Sequence, residues 1–203
     1  MKALVALALA LGIAGLTAGL SSYAILVREL NRGYLETSPA SAILRTDALD
    51  EATLQAVRAV PGVEVAEARR VLSGRIKAGP AQWRTLTLFV VQDFAAIRVS
   101  KLMPQAGAWP PGPGEILIER DALQVARARI GDEVTVRTAR GVDHALRISG
   151  TVKDVGQAQA RMENLVYGYV TLQTLALLGE APVLDRLYLQ GGDALQVKAV
   201  LEA

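Results

Sequence analysis

The chain opens with an uninterrupted apolar segment. Residues 3–27 carry no charged side chain, and only four of them are polar. A helix of about 25 residues is longer than the roughly 30 Å hydrocarbon core of a bilayer. The pattern therefore predicts a transmembrane helix, or an uncleaved signal anchor, over residues 1–28. A cleaved signal peptide is the alternative, with Lys2 as its basic start and Ser22-Tyr23-Ala24 as its cleavage site.

Small residues recur along this predicted helix. Gly12, Gly15 and Gly19 fall on one helical face, and the last two form a GxxxG pattern. Such a face lets another membrane helix approach closely, so these three glycines are candidates for helix packing. The alternative is that small residues are simply abundant in this segment.

Helical spacing continues after the apolar segment. Ile25, Leu26, Leu30 and Tyr34 follow one another at near-helical intervals. We expect the helix to continue into a stalk over residues 29–41, which a signal peptide would have no reason to do.

The pattern next predicts a strand, a helix and a second strand. Residues 42–46 suit a short strand, and Asp50 is a plausible N-cap, with Leu49 and Leu54 placed as a hydrophobic staple. Pro61-Gly62 ends the helix, and the next strand follows. Near the other end of the chain, DALQVKAVL at 193–201 echoes DALDEATLQAVRAV at 47–60.

This echo predicts one α/β lobe built from both ends of the chain, residues 42–103 and 172–203. The alternative is a chance echo, since alanine, leucine and valine are common in this chain. The first copy of the unit is followed by a strand and the second is not. The sequence is therefore expected to be a piece of a longer protein.

The middle of the chain predicts an inserted β-rich lobe over residues 104–171. Its first part, 104–114, contains four of the eight prolines and is expected to be an ordered loop or stiff connector pinned by Trp109. Alternating strands follow near 115–119, 134–136, 144–152 and 166–171. Asp121 is placed to cap a short helix between the first two of these strands.

Charge and composition exclude several functions. Residues 29–203 carry 20 basic and 20 acidic side chains, and the chain has nine aromatic residues. A neutral surface without a basic stripe argues against nucleic acid as a partner. Without cysteine there is no thiol chemistry, and a single histidine, His144, cannot form a histidine-rich metal site.

Few residues suggest catalysis. Glu115 and Glu119 would lie about 13 Å apart on one strand face, which is too far for a glycosidase pair. We therefore expect them to be solvated charges, Asp132 to serve a turn, and His144, at the start of a strand, to be a surface or edge residue. The nucleotide-binding glycine patterns are absent from the sequence. We expect a protein that is not an enzyme, with no catalytic residue, no metal site and no cofactor of its own.

The order of several motifs resembles one family. These are SPASAILR at 38–45, PGVEV at 61–65, GAWPPGPGEILIERDAL at 107–123, IGDEVTV at 130–136 and ISGTVKDV at 148–155. Together with the apolar helix, they resemble the first transmembrane helix and extracytoplasmic domain of MacB-like, FtsX-like ABC transporter permeases.

The resemblance implies an α+β fold, with a Porter-like α/β lobe and an inserted β-rich Sabre-like lobe. It also implies three further membrane helices, placement in the cell inner membrane, and ATP hydrolysis by a separate cytoplasmic subunit. A second permease copy, membrane lipid and a periplasmic adaptor or substrate protein are the implied partners.

In such a protein the stalk would transmit movement to a domain that handles a lipid, lipoprotein, peptide or drug. The alternative function is a membrane-anchored or secreted binding module without an ATPase.

Overall fold

The computed structural model describes residues 2–193, 197–198 and 201–202 of the chain. They fall into two compact units, Met1–Glu36 and Thr37–Ala203. Part of the predicted C-terminal helix, residues 194–196 and 199–200, lies outside the described residues.

The first unit is one helix, α1, Lys2–Glu36. It continues without interruption past residue 28, as the apolar spacing predicted. Large apolar side chains on it are exposed, among them Ile13, Leu16 and Leu20. Within the part of the chain that the structure describes, no helix combines the length and the apolar character needed to cross a membrane.

The second unit contains nine strands and four short helices among the described residues. In chain order they are β1 Ala42–Leu49, α2 Glu51–Arg58, β2 Val63–Lys77, β3 Trp83–Val91, β4 Met103–Gly107, β5 Glu115–Glu119, α3 Ala122–Ala126, β6 Glu133–Arg137, β7 Asp143–Lys153, α4 Ala160–Glu163, β8 Leu165–Thr171, α5 Leu172–Leu177 and β9 Leu184–Gly191. The α+β class predicted from the sequence is confirmed.

The strands form one sheet that closes partly on itself. Its order is β1-β9-β2-β3-β8-β5-β7-β4, and β6 pairs with both β2 and β7. Six strands therefore form a closed ring, in the order β2, β3, β8, β5, β7 and β6. Each of them pairs with a ring neighbour on both sides, as in a β-barrel. The β3–β8 and β5–β7 pairs are parallel, and the other pairs in the ring are antiparallel.

The long strand β2 belongs to two parts of this sheet. Its first residues, Val63 to Arg69, pair with β9, which in turn pairs with β1. Its last residues, Arg69 to Lys77, pair with β3 in the ring. At Arg69 the strand has partners on both sides, so β2 links the three-stranded sheet to the barrel.

The ring closes through a short contact between β2 and β6. Only Arg75 and Ile76 of β2 pair with β6. A Cβ added at Gly74 would lie 2.7 Å from the backbone oxygen of Arg137, so only glycine permits this approach. The Arg137 guanidinium also lies over the Trp83 ring, 4.4 Å from its centroid, and bonds to Asp143. These contacts join β2, β3, β6 and β7 at the point of closure.

Two hydrophobic clusters form the cores of the barrel and of the three-stranded sheet. The larger lies in and around the barrel and includes Leu86 and Leu88 of β3. The smaller draws on both chain ends, with Leu54 and Val57 of α2 packed with Leu187 of β9 and Val197. The predicted lobe boundaries, 42–103 with 172–203 and 104–171, remain a prediction.

Local signals for α2 are confirmed. Asp50 is the N-cap, and its carboxylate accepts a hydrogen bond from the Thr53 amide at 2.7 Å. This bond holds the pKa of the Asp50 carboxyl below its ordinary value. Leu49 and Leu54, the predicted staple, lie in the same cluster.

One prediction was wrong for part of the proline-rich segment. Residues 104–107 are not loop but belong to β4, which pairs with β7 at an edge of the sheet. The pairing is irregular between Pro104 and Ala106. Proline is tolerated there because an edge strand need not donate every backbone N–H. Trp109 does pin the following loop, packing edge-on against Phe94 at 5.2 Å.

Substitution of Gly74 by alanine tests the closure of the barrel. The new methyl group would meet a backbone oxygen that cannot turn away, so we expect a loss of about 1–3 kcal/mol in the free energy of unfolding. Faster hydrogen exchange at Val136 and Arg137 should accompany this loss. The control is Ser73→Ala, which changes an exposed neighbour on the same strand. Equal stability of the two variants in urea would contradict the role of Gly74.

Candidate functional site

The start of the second unit is bonded to the loop that follows β3. The Lys101 amide donates to the Thr37 carbonyl and the Ser100 amide to the Ser38 carbonyl, each at 2.8 Å. The Ala40 amide donates to the Ser100 hydroxyl at 3.3 Å. Ser38 and Ser100 both have positive φ angles, 50° and 46°. Non-glycine residues rarely adopt this conformation, so the surrounding bonds must hold it.

A largely buried ion pair on β2 holds the same loop from the other side. The Glu67 carboxylate accepts hydrogen bonds from the Arg98 amide at 2.5 Å and the Val99 amide at 3.2 Å. The Arg69 guanidinium donates to the carbonyls of Val99 and Ser100. The two side chains also pair with each other at 3.0 Å and expose only 6% and 16% of their surface, for Arg69 and Glu67 respectively.

The strand geometry explains this arrangement. Residues 67 and 69 are two apart, so their side chains emerge on the same face of β2. Tyr188 of β9 lies beside them, with the Arg69 guanidinium 4.5 Å from its ring centroid. Burial raises the pKa of the Tyr188 hydroxyl, and the Arg69 charge opposes that rise.

We call this assembly the entry joint, and it consists of Thr37–Ala40, Arg98–Lys101, Glu67, Arg69 and Tyr188. Its contacts connect the first residues of the unit to the strand shared by the sheet and the barrel. Removing one partner of a buried ion pair typically costs about 3–5 kcal/mol. The joint therefore ties the first residues of the unit to the loop at Arg98–Lys101, and this loop to β2.

The sequence did not reveal this joint. Glu67 and Arg69 stand in the charged run EARR inside β2, at positions 67–70. Opposite charges two residues apart within a strand were the available signal. Their loop partners, 31 or so positions further on, became visible only in the fold.

The predicted solvated carboxylates behave differently from expectation. Glu119 is only 6% exposed, because β5 is covered on both faces. Its carboxylate accepts hydrogen bonds from the Asp121 amide at 2.8 Å and the Ala122 amide at 3.1 Å. Glu115 accepts from the Gly112 amide at 2.8 Å. Both therefore hold backbone turns.

The predicted capping role of Asp121 is wrong. Asp121 occupies the N-cap position of α3, but its side chain makes no capping hydrogen bond. Glu119, two residues earlier, binds the free amides at the helix start instead. The sequence suggested an ordinary cap because aspartate is common there, whereas the burial of β5 brought Glu119 into reach.

The remaining candidates are spread over the chain. His144 is partly buried on β7 opposite Val136, and the Asp132 carboxylate accepts from the Arg129 amide at 2.8 Å, which fits the predicted turn. Gly12, Gly15 and Gly19 lie in α1, where an added Cβ at each would meet no atom within 4 Å. Their role in helix packing remains a prediction. Among the described residues, no three metal-ligating side chains cluster.

Glu119 should give the domain a measurable pH dependence. Burial raises the pKa of its carboxyl in the folded state, although the two backbone hydrogen bonds oppose the rise. A raised folded pKa means that folding favours the protonated acid, so its contribution to stability falls as pH rises above about 4.3, the ordinary value. Glu119→Gln cannot ionise. We expect its free energy of unfolding, relative to the native chain, to increase between pH 4 and pH 7.

The measurement is urea denaturation at several pH values, with Glu133→Gln as the exposed control. A difference between Glu119→Gln and the native chain that stays constant over this pH range would contradict the assignment.

Comparison with known proteins identifies the fold. No protein-family model and no curated protein matches the chain. The extracellular domain of the noncanonic ABC-type transporter YknZ from Gram-positive bacteria aligns with a TM-score of 0.51 at 15% identity, over 78% of this chain and 86% of that one. The periplasmic region of MacB from Actinobacillus actinomycetemcomitans aligns with a TM-score of 0.49 at 13% identity, over 78% and 73%.

At such low identity, the likeness to the YknZ domain bears on the fold. It agrees with the resemblance that the sequence motifs suggested. The chain therefore shares the fold of the extracellular domain of the ABC-type transporter YknZ.

Proposed function

We propose that this chain is the anchoring helix and extracytoplasmic domain of an ABC transporter permease, and that the domain transmits movement without catalysing a reaction. The entry joint is the observation that carries this proposal. A domain that is moved through its first residues needs a stiff connection there, and the joint provides one.

The helix before the joint is long and unbroken, as a lever that transmits movement must be. α1 runs without interruption to Glu36, and the joint begins at the next residue, Thr37. Its 35 residues correspond to a length of about 50 Å. An unbroken helix transmits a displacement along its axis, whereas a flexible linker would absorb it.

The contacts of the joint would distribute such a movement. A pull on Thr37 and Ser38 reaches Ser100 and Lys101 through backbone hydrogen bonds, and the Glu67–Arg69 pair then carries it to β2. Because β2 belongs to both the three-stranded sheet and the barrel, the whole unit would respond together.

The proposal includes partners that hydrolyse ATP and complete the permease. They are a cytoplasmic ATP-binding subunit and a second permease copy in the cell inner membrane, where the apolar residues 3–27 would anchor this chain. The exported cargo is a lipid, lipoprotein, peptide or drug, or the domain acts on a periplasmic adaptor or substrate protein. The likeness of fold to the YknZ domain supports this setting.

The first test concerns the ATPase. The native protein should co-purify from detergent-solubilised membranes with an ATP-binding subunit in a fixed ratio. A chain that purifies alone after mild solubilisation would contradict the transporter assignment and favour an anchored or secreted binding module.

The second test concerns transmission through the joint. In the complex with its ATPase, trapping the nucleotide state with ATP and vanadate should change hydrogen exchange at the Ser100 and Lys101 amides. Arg69→Met should remove most of this change and speed basal exchange at both amides about tenfold or more, because the loop loses its buried partner.

Arg75→Met is the matched control for the second test, since Arg75 is an exposed arginine on the same strand. If hydrogen exchange at the Ser100 and Lys101 amides of the native complex is the same in every nucleotide state, transmission through the joint is contradicted.

A further inference from the structure

A cleft lies beside the first half of β2. It has a volume of about 420 Å³, with Leu54 and Arg58 of α2 on one side, Ala66 and Ala68 of β2 at its floor, and the segment from Gln92 to Arg98 on the other side. This volume falls in the range of ordinary ligand sites. A smaller cavity of about 200 Å³, lined by several of the same residues, continues it toward Leu172 and Pro182.

The cleft exists because β3 leaves β2. Val91, the last residue of β3, pairs with Arg69. Before Arg69, the described residues of β2 have a strand partner on the β9 side only. The segment after β3 bows away and returns where Glu67 binds the amides of Arg98 and Val99. A strand position next to residues 63–68 is thus vacant.

The vacant position is protected in the manner of a sheet edge. Arg58 reaches over from α2, and its guanidinium donates two hydrogen bonds to the Ala66 carbonyl, at 3.3 and 3.2 Å. Charged side chains placed over an edge keep it from pairing indiscriminately.

Three carboxylates, those of Glu51, Glu67 and Asp93, and three arginines line the cleft, and the arginine without a carboxylate partner favours an acidic side chain in an occupant. Glu51 is bonded by Arg58 and Gln55, and Glu67 is paired with Arg69. The Arg98 guanidinium, in contrast, is exposed and has no carboxylate within 4 Å among the described residues. Asp93, the remaining acid of the cleft, already accepts a hydrogen bond from the Ala95 amide.

We propose that this cleft binds an extended polypeptide segment, which adds a strand beside residues 63–68 of β2 and places an acidic side chain against Arg98. Backbone hydrogen bonds to an exposed strand give such sites their affinity, and side-chain pockets give them their selectivity. Because Glu67 and Arg69 line the cleft and also belong to the entry joint, an occupant would contact residues that hold the joint. The binding itself does not depend on the proposed transporter function.

Three peptides test the proposal on the full chain in detergent micelles. The first is acetyl-Thr-Val-Ala-Glu-Ala-Val-Thr-amide, the second replaces its glutamate with glutamine, and the third replaces both alanines with proline. Hydrogen exchange of the backbone amides of residues 63–68 reports strand addition. The first peptide should slow this exchange, and the proline peptide should not, because proline cannot donate the required hydrogen bonds.

The charge contact is tested with the first two peptides. Half-saturation with the glutamine peptide should require an about fivefold higher peptide concentration, because one exposed ion pair contributes about 1 kcal/mol. Arg98→Ala should abolish this difference, and Arg75→Ala, which changes an exposed arginine of β2 that does not line the cleft, should retain it. The amide of Arg98 that bonds to Glu67 remains in the alanine variant, so the loop keeps its anchor.

Three outcomes would overturn the proposal. They are unchanged exchange of residues 63–68 at millimolar peptide, equal protection by the proline peptide, and a charge preference that persists in Arg98→Ala.

Discussion

The structure depends on one strand that serves two sheets. β2 is 15 residues long and pairs with β9 through its first half and with β3 and β6 through its second. The barrel closes only because Gly74 lets the backbone of Arg137 approach β2. Where the two halves of β2 meet, Arg69 pairs with β3 on one side and with β9 on the other. The strand is thus the rigid element to which the other parts of the domain are attached.

The entry joint and the cleft both follow from this division. Since β3 pairs only with the second half of β2, the chain after Val91 must leave the sheet. It returns at Arg98 to Lys101, where it meets both the buried Glu67–Arg69 pair and the first residues of the domain. The same departure leaves the strand position beside residues 63–68 open. The entry joint and the cleft therefore lie side by side and share Glu67 and Arg69, which would let occupation of the cleft affect the joint.

Much of the local structure could be predicted from the sequence. The helix beyond residue 28, the cap at Asp50, the strand at 115–119 and the turn at Asp132 follow from patterns within a few residues. The short helices α4 and α5 were not predicted, because four to six residues carry too little periodicity. The strand in 103–107 was missed because its prolines suit a loop equally well. The alternating pattern predicts a solvated Glu119, because alternation in the sequence does not reveal that both faces of β5 are covered.

The sequence by itself determined the continuous N-terminal helix, the N-cap at Asp50 and the absence of thiol chemistry, since these rest on local periodicity and composition. The resemblance of its motifs to a permease family agrees with the fold found by comparison. Only the tertiary structure decided which strands close the barrel, which face of β2 holds Glu67 and Arg69, and that a loop about 30 residues away completes their bonds. Such contacts join residues far apart in the chain, and no pattern among neighbours encodes which distant backbone atoms a side chain will meet.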